Sequence, residues 1–228
     1  MSSPVLSSVP QPRYSNSPQT FAATKAAGRG YEACKRAIDV AASATLLVLF
    51  LPALVAIAIG VKLSSPGPIF FRQRRLGRGG HTFWCYKFRT MVRNAESLLR
   101  RNEDLFAIFD ENYKIVNDPR VTRFGAFLRR TSLDELPQLW NVLRGEMSLI
   151  GPRPIVEPEL GKYGAHASRL LTVKPGLGGV WQVSGRSDTS YPERVAMDLH
   201  YIDSRSLWLD LSLLVRTALV VIKGRGAY

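Results

Sequence analysis

Residues 129–141 read Arg-Arg-Thr-Ser-Leu-Asp-Glu-Leu-Pro-Gln-Leu-Trp-Asn and hold the combination best suited to chemistry. Two adjacent carboxylates, Asp134 and Glu135, follow two guanidiniums, Arg129 and Arg130. The chain carries 31 Lys and Arg against 18 Asp and Glu, a formal net charge of +13, so a paired acid stands out. Neighbours at i and i+1 point in different directions on a helix, so the two carboxylates cannot serve the same atom. One can attack an electrophile while the other holds a metal. Ser132-Leu133-Asp134-Glu135 also fits a capping box, with Ser132 as N-cap and Glu135 reaching back to the cap amide. That purely structural role is compatible with the chemical one, because a helix start holds carboxylates ionised and attracts phosphate.

Other cations sit where the backbone could aim them. In Gly151-Pro152-Arg153-Pro154, two prolines restrict how far the Arg153 guanidinium can wander, which suits bidentate grip on a phosphate; a rigid turn with a solvated arginine is the alternative. Lys174-Pro175-Gly176-Leu177-Gly178-Gly179 and Gly185-Arg186 read as flexible basic segments whose amides could approach a phosphate. Neither a Walker A nor a GxGxxG pattern is present, so these glycines alone say little. The three histidines, His81, His166 and His200, form no HxxxH pair and read as structural. The two cysteines, Cys34 and Cys85, make no CxxC, which suggests a reduced compartment without a disulfide framework or zinc site.

The elements that must carry these groups follow from composition and pattern. With 228 residues and 46% hydrophobic content, one catalytic domain is expected. The basic excess calls for an acidic partner: nucleic acid, anionic lipid or a phosphorylated substrate. Residues 1–30, rich in Ser, Pro, Gln, Thr and Ala, read as a disordered tail. They are not read as a signal peptide, since the apolar run begins only after Asp39.

Residues 40–61 contain no charge, long enough on paper to cross a bilayer, yet Pro52 lies in the middle and should break the helix. Each half would then reach less than about 20 Å at 1.5 Å per residue, short of a core of about 30 Å. Basic residues flank both ends, so the positive-inside rule puts both in the cytoplasm and predicts a hairpin that enters and returns. A spanning helix and a buried core helix compete with that reading. Asp39 should lie at the interface, paired with Arg36.

Beyond residue 64, residues 69–73 and 81–91 read as strands joined through a glycine-rich turn at 76–80. The second strand interleaves Phe83, Trp84, Tyr86 and Phe88 with Lys87 and Arg89, suited to nucleic acid or to a headgroup layer. Residues 93–109 read as one amphipathic helix. Pro137 suits the first turn of a helix running to Leu143 and ending at Gly145. Residues 207–222, apolar but interrupted by Asp210 and Arg216, read as an interfacial amphipathic helix.

Taken together, the Pro-broken run, Lys87-Phe88-Arg89-Thr90-Met91, Ser132 through Gln138, Gly151-Pro152-Arg153-Pro154, Lys174-Pro175-Gly176 and Gly185-Arg186 resemble the bacterial sugar transferases. The resemblance is to the monotopic polyprenyl-phosphate phosphoglycosyl transferases. It covers roughly residues 32–228 and is nearest to the undecaprenyl-phosphate galactose or glucose phosphotransferases of exopolysaccharide synthesis.

The resemblance implies a mainly α monotopic membrane protein with a short β-hairpin, a Pro-broken reentrant membrane helix and interfacial amphipathic helices. It divides the chain into a tail at 1–30, a reentrant hairpin at 31–63 and a membrane-associated catalytic domain at 64–228. Pro52 marks the membrane break, where related proteins often carry Ser-Pro and this chain has Leu51-Pro52. Asp134 would attack the sugar-proximal phosphorus of a UDP-hexose, expel UMP and hold the phosphosugar until undecaprenyl phosphate takes it. Glu135 would hold Mg²⁺, with Arg129, Arg153, Lys87, Arg89 and Arg186 on phosphate and Arg130 in reserve.

Inner-membrane lipids are implied partners, nucleic acid is not, and a homo-oligomer is left open. The implied location is the cytoplasmic face of the bacterial inner membrane. The donor sugar is not fixed by these motifs, since specificity depends on pocket shape. The competing function from another class is a non-catalytic basic membrane adaptor that binds anionic lipid.

Overall fold

A computed structural model describes residues 28–112, 115, 118–184 and 189–223. The first two helices, α1 (Arg29–Leu49) and α2 (Leu51–Ser64), meet at Phe50 with a bend of 63°. Pro52 sits in the first turn of α2, where its missing N–H costs nothing. The break falls where the sequence put it, and the bend forms without a serine there. Helix α1, however, starts well before the apolar run and measures about 31 Å at 1.5 Å per residue, not the short half-helix expected. Among the described residues no single helix is long and apolar enough to cross a membrane; only the bent pair together carries that length and apolarity. Residues 1–27 of the expected tail lie outside the described residues.

The polar half of α1 is clasped by the rest of the molecule. Asp210 accepts hydrogen bonds from Tyr31 Oη at 2.8 Å, Lys35 Nζ at 2.9 Å and Tyr201 Oη at 2.7 Å. Asp39 and Arg36 do not pair as expected. Arg36 donates to Val142 O at 2.6 Å and Leu143 O at 2.7 Å, satisfying carbonyls at the C-terminus of a later helix where the dipole favours a cation. Asp39 is buried and accepts from Leu149 N at 2.9 Å and Ser148 Oγ at 3.1 Å.

Strands β1 (Phe70–Leu76) and β2 (Thr82–Phe88) form an antiparallel hairpin, Phe70 opposite Phe88 and Leu76 opposite Thr82. Gly79 and Gly80, at φ 73° and 79°, turn the chain between them. One face buries Phe83 and Cys85 against Leu139, Val142, Met147 and Leu149. Beyond it, α3 (Ala95–Arg101) and α4 (Glu103–Asn112) replace the single helix expected over 93–109. The break falls at Asn102, whose Oδ1 accepts from Leu105 N at 3.0 Å, a local bond that opens a new helix instead of extending the old one.

Helix α5 (Arg123–Thr131) is capped by Thr122, and α6 (Gln138–Arg144) ends at Gly145 with φ 79°, as Gly at that position predicts. Strand β3 (Ser148–Ile150) runs parallel to β4 (Gly176–Gly178), which follows the short α7 (Ala167–Leu170). The segment read as flexible and phosphate-facing is thus a built strand, and Gly176 N is committed to Pro152 O at 2.7 Å. A Cβ at Gly176 would lie 2.0 Å from Gly151 N, so close approach is what these glycines supply. Helices α8 (Val180–Ser184), α9 (Tyr191–Ser204) and α10 (Leu207–Lys223) complete the chain. Ile150, Ile155, Tyr163, Tyr201, Ile202 and Leu213 pack as one core cluster between them. The fold is mainly helical with a short two-stranded antiparallel sheet, as expected, plus a parallel pair that the sequence reading missed.

Candidate active site

Asp134 and Glu135 sit in a 3-10 turn (Leu133–Glu135) squeezed between α5 and α6. Ser132 does not cap it. The residue has φ 57°, in the left-handed region, and closes α5 with its amide on Arg129 O at 3.1 Å. The capping box therefore does not form, because the chain must reverse at Ser132 to bury Leu133 and Leu136 on the hydrophobic clusters. Glu135 is left to accept Lys87 Nζ at 2.6 Å.

Asp134 is only 8% exposed. Burial, reinforced by the Glu135 charge, pushes its carboxyl up to about 6, while Lys87 and Arg129 act in the opposite direction. The two carboxylates differ physically as the sequence argument requires: one buried and holding its proton to a higher pH than an ordinary aspartate, the other tied to a lysine. Arg129 is partly buried, and burial lowers its pKa although Asp134 and Asp118 favour the charge. It stays a cation at any working pH.

Thr90, which the sequence reading did not single out for chemistry, holds Arg129 in place. Its Oγ1 accepts from Arg129 Nε at 2.9 Å, and its carbonyl accepts from Thr122 N at 3.0 Å. Gly125, one turn before Arg129 on the same face of α5, presses on the same residue; a Cβ there would lie 2.0 Å from Thr90 O. With Nε spent on Thr90, the terminal fork of Arg129 takes no hydrogen bond among the described residues. That fork is the geometry for a bidentate oxyanion.

Of the remaining expected residues, Lys87 joins the carboxylates and Arg89 does not. Arg89 is buried with Nη2 on Ser65 O at 2.5 Å and Val61 O at 3.2 Å, so its charge serves the C-terminus of α2. Gly67, at φ 132°, leaves room for it: a Cβ there would meet Arg89 Nη1 at 2.3 Å. Arg130 is exposed, and Arg186 lies outside the described residues.

Arg153 lies in a different group. Its guanidinium sits over the Trp181 ring at 5.6 Å, shares that ring with Arg194 at 4.8 Å, and repels Arg75. Asp198, 1% exposed and accepting Tyr163 Oη at 2.8 Å, is pushed up to about 7 by burial against the pull of Arg153 and Arg194. The sequence reading missed Arg75, Trp181, Arg194 and Asp198. Two signals were there to use: strand alternation puts Arg75 on the face of Lys87, and Arg194 and Asp198 are spaced one turn apart on α9.

Among the described residues no three His, Cys, Asp or Glu side chains stand together to cage a metal. The carboxylate pair suits an ion completed by substrate phosphates, the way Mg²⁺ is usually held. Chemically, the site can present a buried carboxylate nucleophile flanked by two cations.

Comparison with known proteins places this geometry in a lineage. A UDP-galactose-lipid carrier transferase of Erwinia amylovora is 48% identical over 198 residues, 85% of this chain and 41% of that protein. The exopolysaccharide production protein ExoY of Rhizobium meliloti is 46% identical over 198 residues, covering 85% of this chain and 88% of its own length. A UDP-glucose:undecaprenyl-phosphate glucose-1-phosphate transferase of Xanthomonas campestris pv. campestris is 45% identical over 189 residues, 78% of this chain and 36% of that protein. The chain thus spans less than half the length of two of these relatives and most of the third. The bacterial sugar transferase family model matches residues 30–224, from the first turn of α1 past the end of α10, with the carboxylate turn and both cationic groups inside it. By that match and these identities, the chain belongs to the bacterial sugar transferase family.

Proposed function

We propose that the protein moves a hexose-1-phosphate from a UDP-sugar to undecaprenyl phosphate and releases UMP, through a covalent intermediate on Asp134. The observation that carries the reading is the buried Asp134 carboxylate set against Lys87, Arg129 and Glu135, in a chain whose relatives are named for sugar-phosphate transfer to lipid carriers.

An Asp134 oxygen attacks the sugar-proximal phosphorus, and the phosphorus–oxygen bond to the nucleoside monophosphate breaks, its electron pair leaving with UMP. An oxygen of undecaprenyl phosphate then attacks the same phosphorus, returns Asp134 to a carboxylate and yields the diphosphate-linked sugar. Splitting one displacement in two is the usual gain of a carboxylate nucleophile. Arg129, its fork open, and Lys87 neutralise charge on the transferring group. Mg²⁺ would be held by Glu135 together with substrate phosphates and would supply further charge neutralisation there.

The bent helix pair fits a membrane reading of the same chain. Val48, Leu49, Leu51, Val55, Ile59 and Leu63 are all more than half exposed, as lipid-facing residues of a reentrant hairpin at 31–63 would be. On α10, Trp208 at 80%, Leu211 at 51% and Val215 at 55% continue an apolar face suited to the interface. The catalytic domain, 64–228, would then work on the cytoplasmic face of the inner membrane. A polyprenyl chain stays in the bilayer, at about 0.8 kcal/mol per CH₂ buried, so its phosphate must be met at the surface.

Intact-protein mass after incubation with Mg²⁺ and a panel of UDP-sugars tests the proposal. A hexose-phosphate adduct is expected on the wild type and not on Asp134→Asn. Absence of both adduct and UMP release with every donor would sink it and return the protein to a non-catalytic adaptor.

A further inference from the structure

The cations of the site fall into two groups, and only one surrounds the carboxylates. Lys87 and Arg129 act on Asp134; Arg153 is not among the charges acting on it most strongly. The second group is Arg75, Arg153 and Arg194. Arg75 is fixed by Nη1 on Pro154 O at 2.9 Å, Nη2 on Gln73 Oε1 at 2.6 Å, and an ion pair with Glu159 at 3.5 Å. Its bond to Pro154 also pins the turn that carries Arg153. Arg194 donates Nε to Thr189 O at 3.0 Å. Arg153 itself touches no acid and makes no hydrogen bond among the described residues; it only lies over Trp181.

The charges in this group do not balance. Burial first, and Arg153 after it, lower the pKa of both Arg75 and Arg194, while Glu159 acts in the opposite direction. Glu159 is engaged by Arg75 and by Tyr191 Oη at 3.3 Å, and buried Asp198 is held by Tyr163. The two groups are neighbours on one face of the β1–β2 hairpin, where Lys87 lies opposite Phe71 and Arg75 opposite Phe83. At about 3.3 Å per residue the two positions are about 13 Å apart along the strands. Cys85 sits between them and feels both Lys87 and Arg153, and Glu135 acts on Arg75.

We propose that Arg75, Arg153 and Arg194 form a second phosphate locus that receives the phosphate of the departing nucleoside monophosphate, while Lys87 and Arg129 attend the transferring phosphorus. The assignment rests on the phosphoryl-transfer reading above. As the bond between the two phosphates breaks, the shared oxygen leaves with its electron pair and the nucleoside-side phosphate becomes a dianion. Guanidiniums already in place stabilise that growing charge without rearranging. Trp181, covered by two guanidiniums, serves as their platform and not as a stacking surface for the base.

The test uses the full-length protein in detergent with Mg²⁺, measuring UMP and uridine binding by calorimetry and adduct formation by mass. Arg194→Gln and Arg153→Gln are each expected to weaken UMP at least tenfold, with uridine unchanged and partial recovery in Arg194→Lys. Arg129→Gln is expected to abolish the adduct while UMP binds within about threefold of wild type. UMP binding unchanged in both glutamine variants, beside a normal wild-type adduct, overturns the second locus and leaves the transferase reading intact. Equal loss of UMP and uridine overturns it too, since that marks a general defect. A wild type without any adduct whose UMP affinity still depends on Arg153 and Arg194 keeps the anion locus and refutes the transferase reading.

Discussion

Asp134 carries an energetic cost that bears on both activity and stability. Its folded pKa, about 6, lies above the ordinary aspartate value, so the folded state prefers it protonated. The stability this group contributes is present below pH 4 and lost as pH rises through 6, leaving a buried charge at neutrality. Asp134→Asn is therefore expected to unfold later than wild type at pH 7.5, by about 3 kcal/mol at about 1.4 kcal/mol per pKa unit, with the difference shrinking below pH 6. Thermal unfolding at both pH values checks the sign. In the proposed reaction the ionised form is the nucleophile, so the rate of adduct formation should fall about tenfold per unit below pH 6.

Thr90 makes a second prediction. Thr90→Val leaves Arg129 Nε without its acceptor and should lower kcat about tenfold or more with little change in donor KM, whereas Thr90→Ser restores the rate. Equal activity of the Val and Ser variants would end the positioning role. At this scale the Asp-Glu pair was legible from residue type and scarcity. Ser132 was not, because a capping box and a left-handed helix stop share the same local letters, and only the burial of Leu133 and Leu136 decides between them.

Between elements, four consecutive residues at the exit of β2 do separate jobs. Lys87 reaches Glu135, Phe88 packs on Ile57, Val61 and Leu128, Arg89 takes the C-terminal carbonyls of α2, and Thr90 holds Arg129. One short segment thereby couples the angle of the bent helix pair to the carboxylate turn. The clasp of α1 on α10 is the complementary joint. Asp210→Ala would leave the partly buried Lys35 ammonium and the Tyr31 hydroxyl without their acceptor, while Tyr201 keeps Ile150 O at 3.2 Å, and should destabilise by about 2–3 kcal/mol. Chemical unfolding in detergent would read the loss.

The sequence marked the break at Pro52 and the stop at Gly145 because Pro and Gly act locally. It hid the start of α1, whose first turns are polar since Tyr31, Lys35, Arg36 and Asp39 bond to other elements of the chain. It hid β3 and β4 as well, where three-residue strands of small residues pair only because Gly151 and Gly176 can approach.

For the molecule as a whole, the membrane reading makes a claim about sides. Cys34, exposed on α1, is a native handle before the apolar run, and Glu96→Cys on exposed α3 in a Cys34→Ser background supplies one after it. Both should react from the same side of sealed inverted vesicles, and labelling from opposite sides would refute the hairpin. The overall class was legible through the family resemblance that the motifs carry, with charge, apolar run and paired acids consistent with it. The two-part division of cations was not, since Arg75, Arg153 and Arg194 are far apart in sequence and meet only through the hairpin, the Pro-Arg-Pro turn and α9.

The clasp on α1 also fixes how deep such a hairpin could go. With Tyr31, Lys35, Arg36 and Asp39 held by the rest of the molecule, and Ser43, Leu46 and Leu47 packed against it, such a hairpin could enter with residues 40–49 at most, no more than about 15 Å of helix against a hydrocarbon core of about 30 Å. A wedge of that length adds area to one leaflet and none to the other. Its insertion then strains or relieves the spontaneous curvature of the lipids around it, so lipid shape, and not only lipid charge, enters the energy of the bound protein.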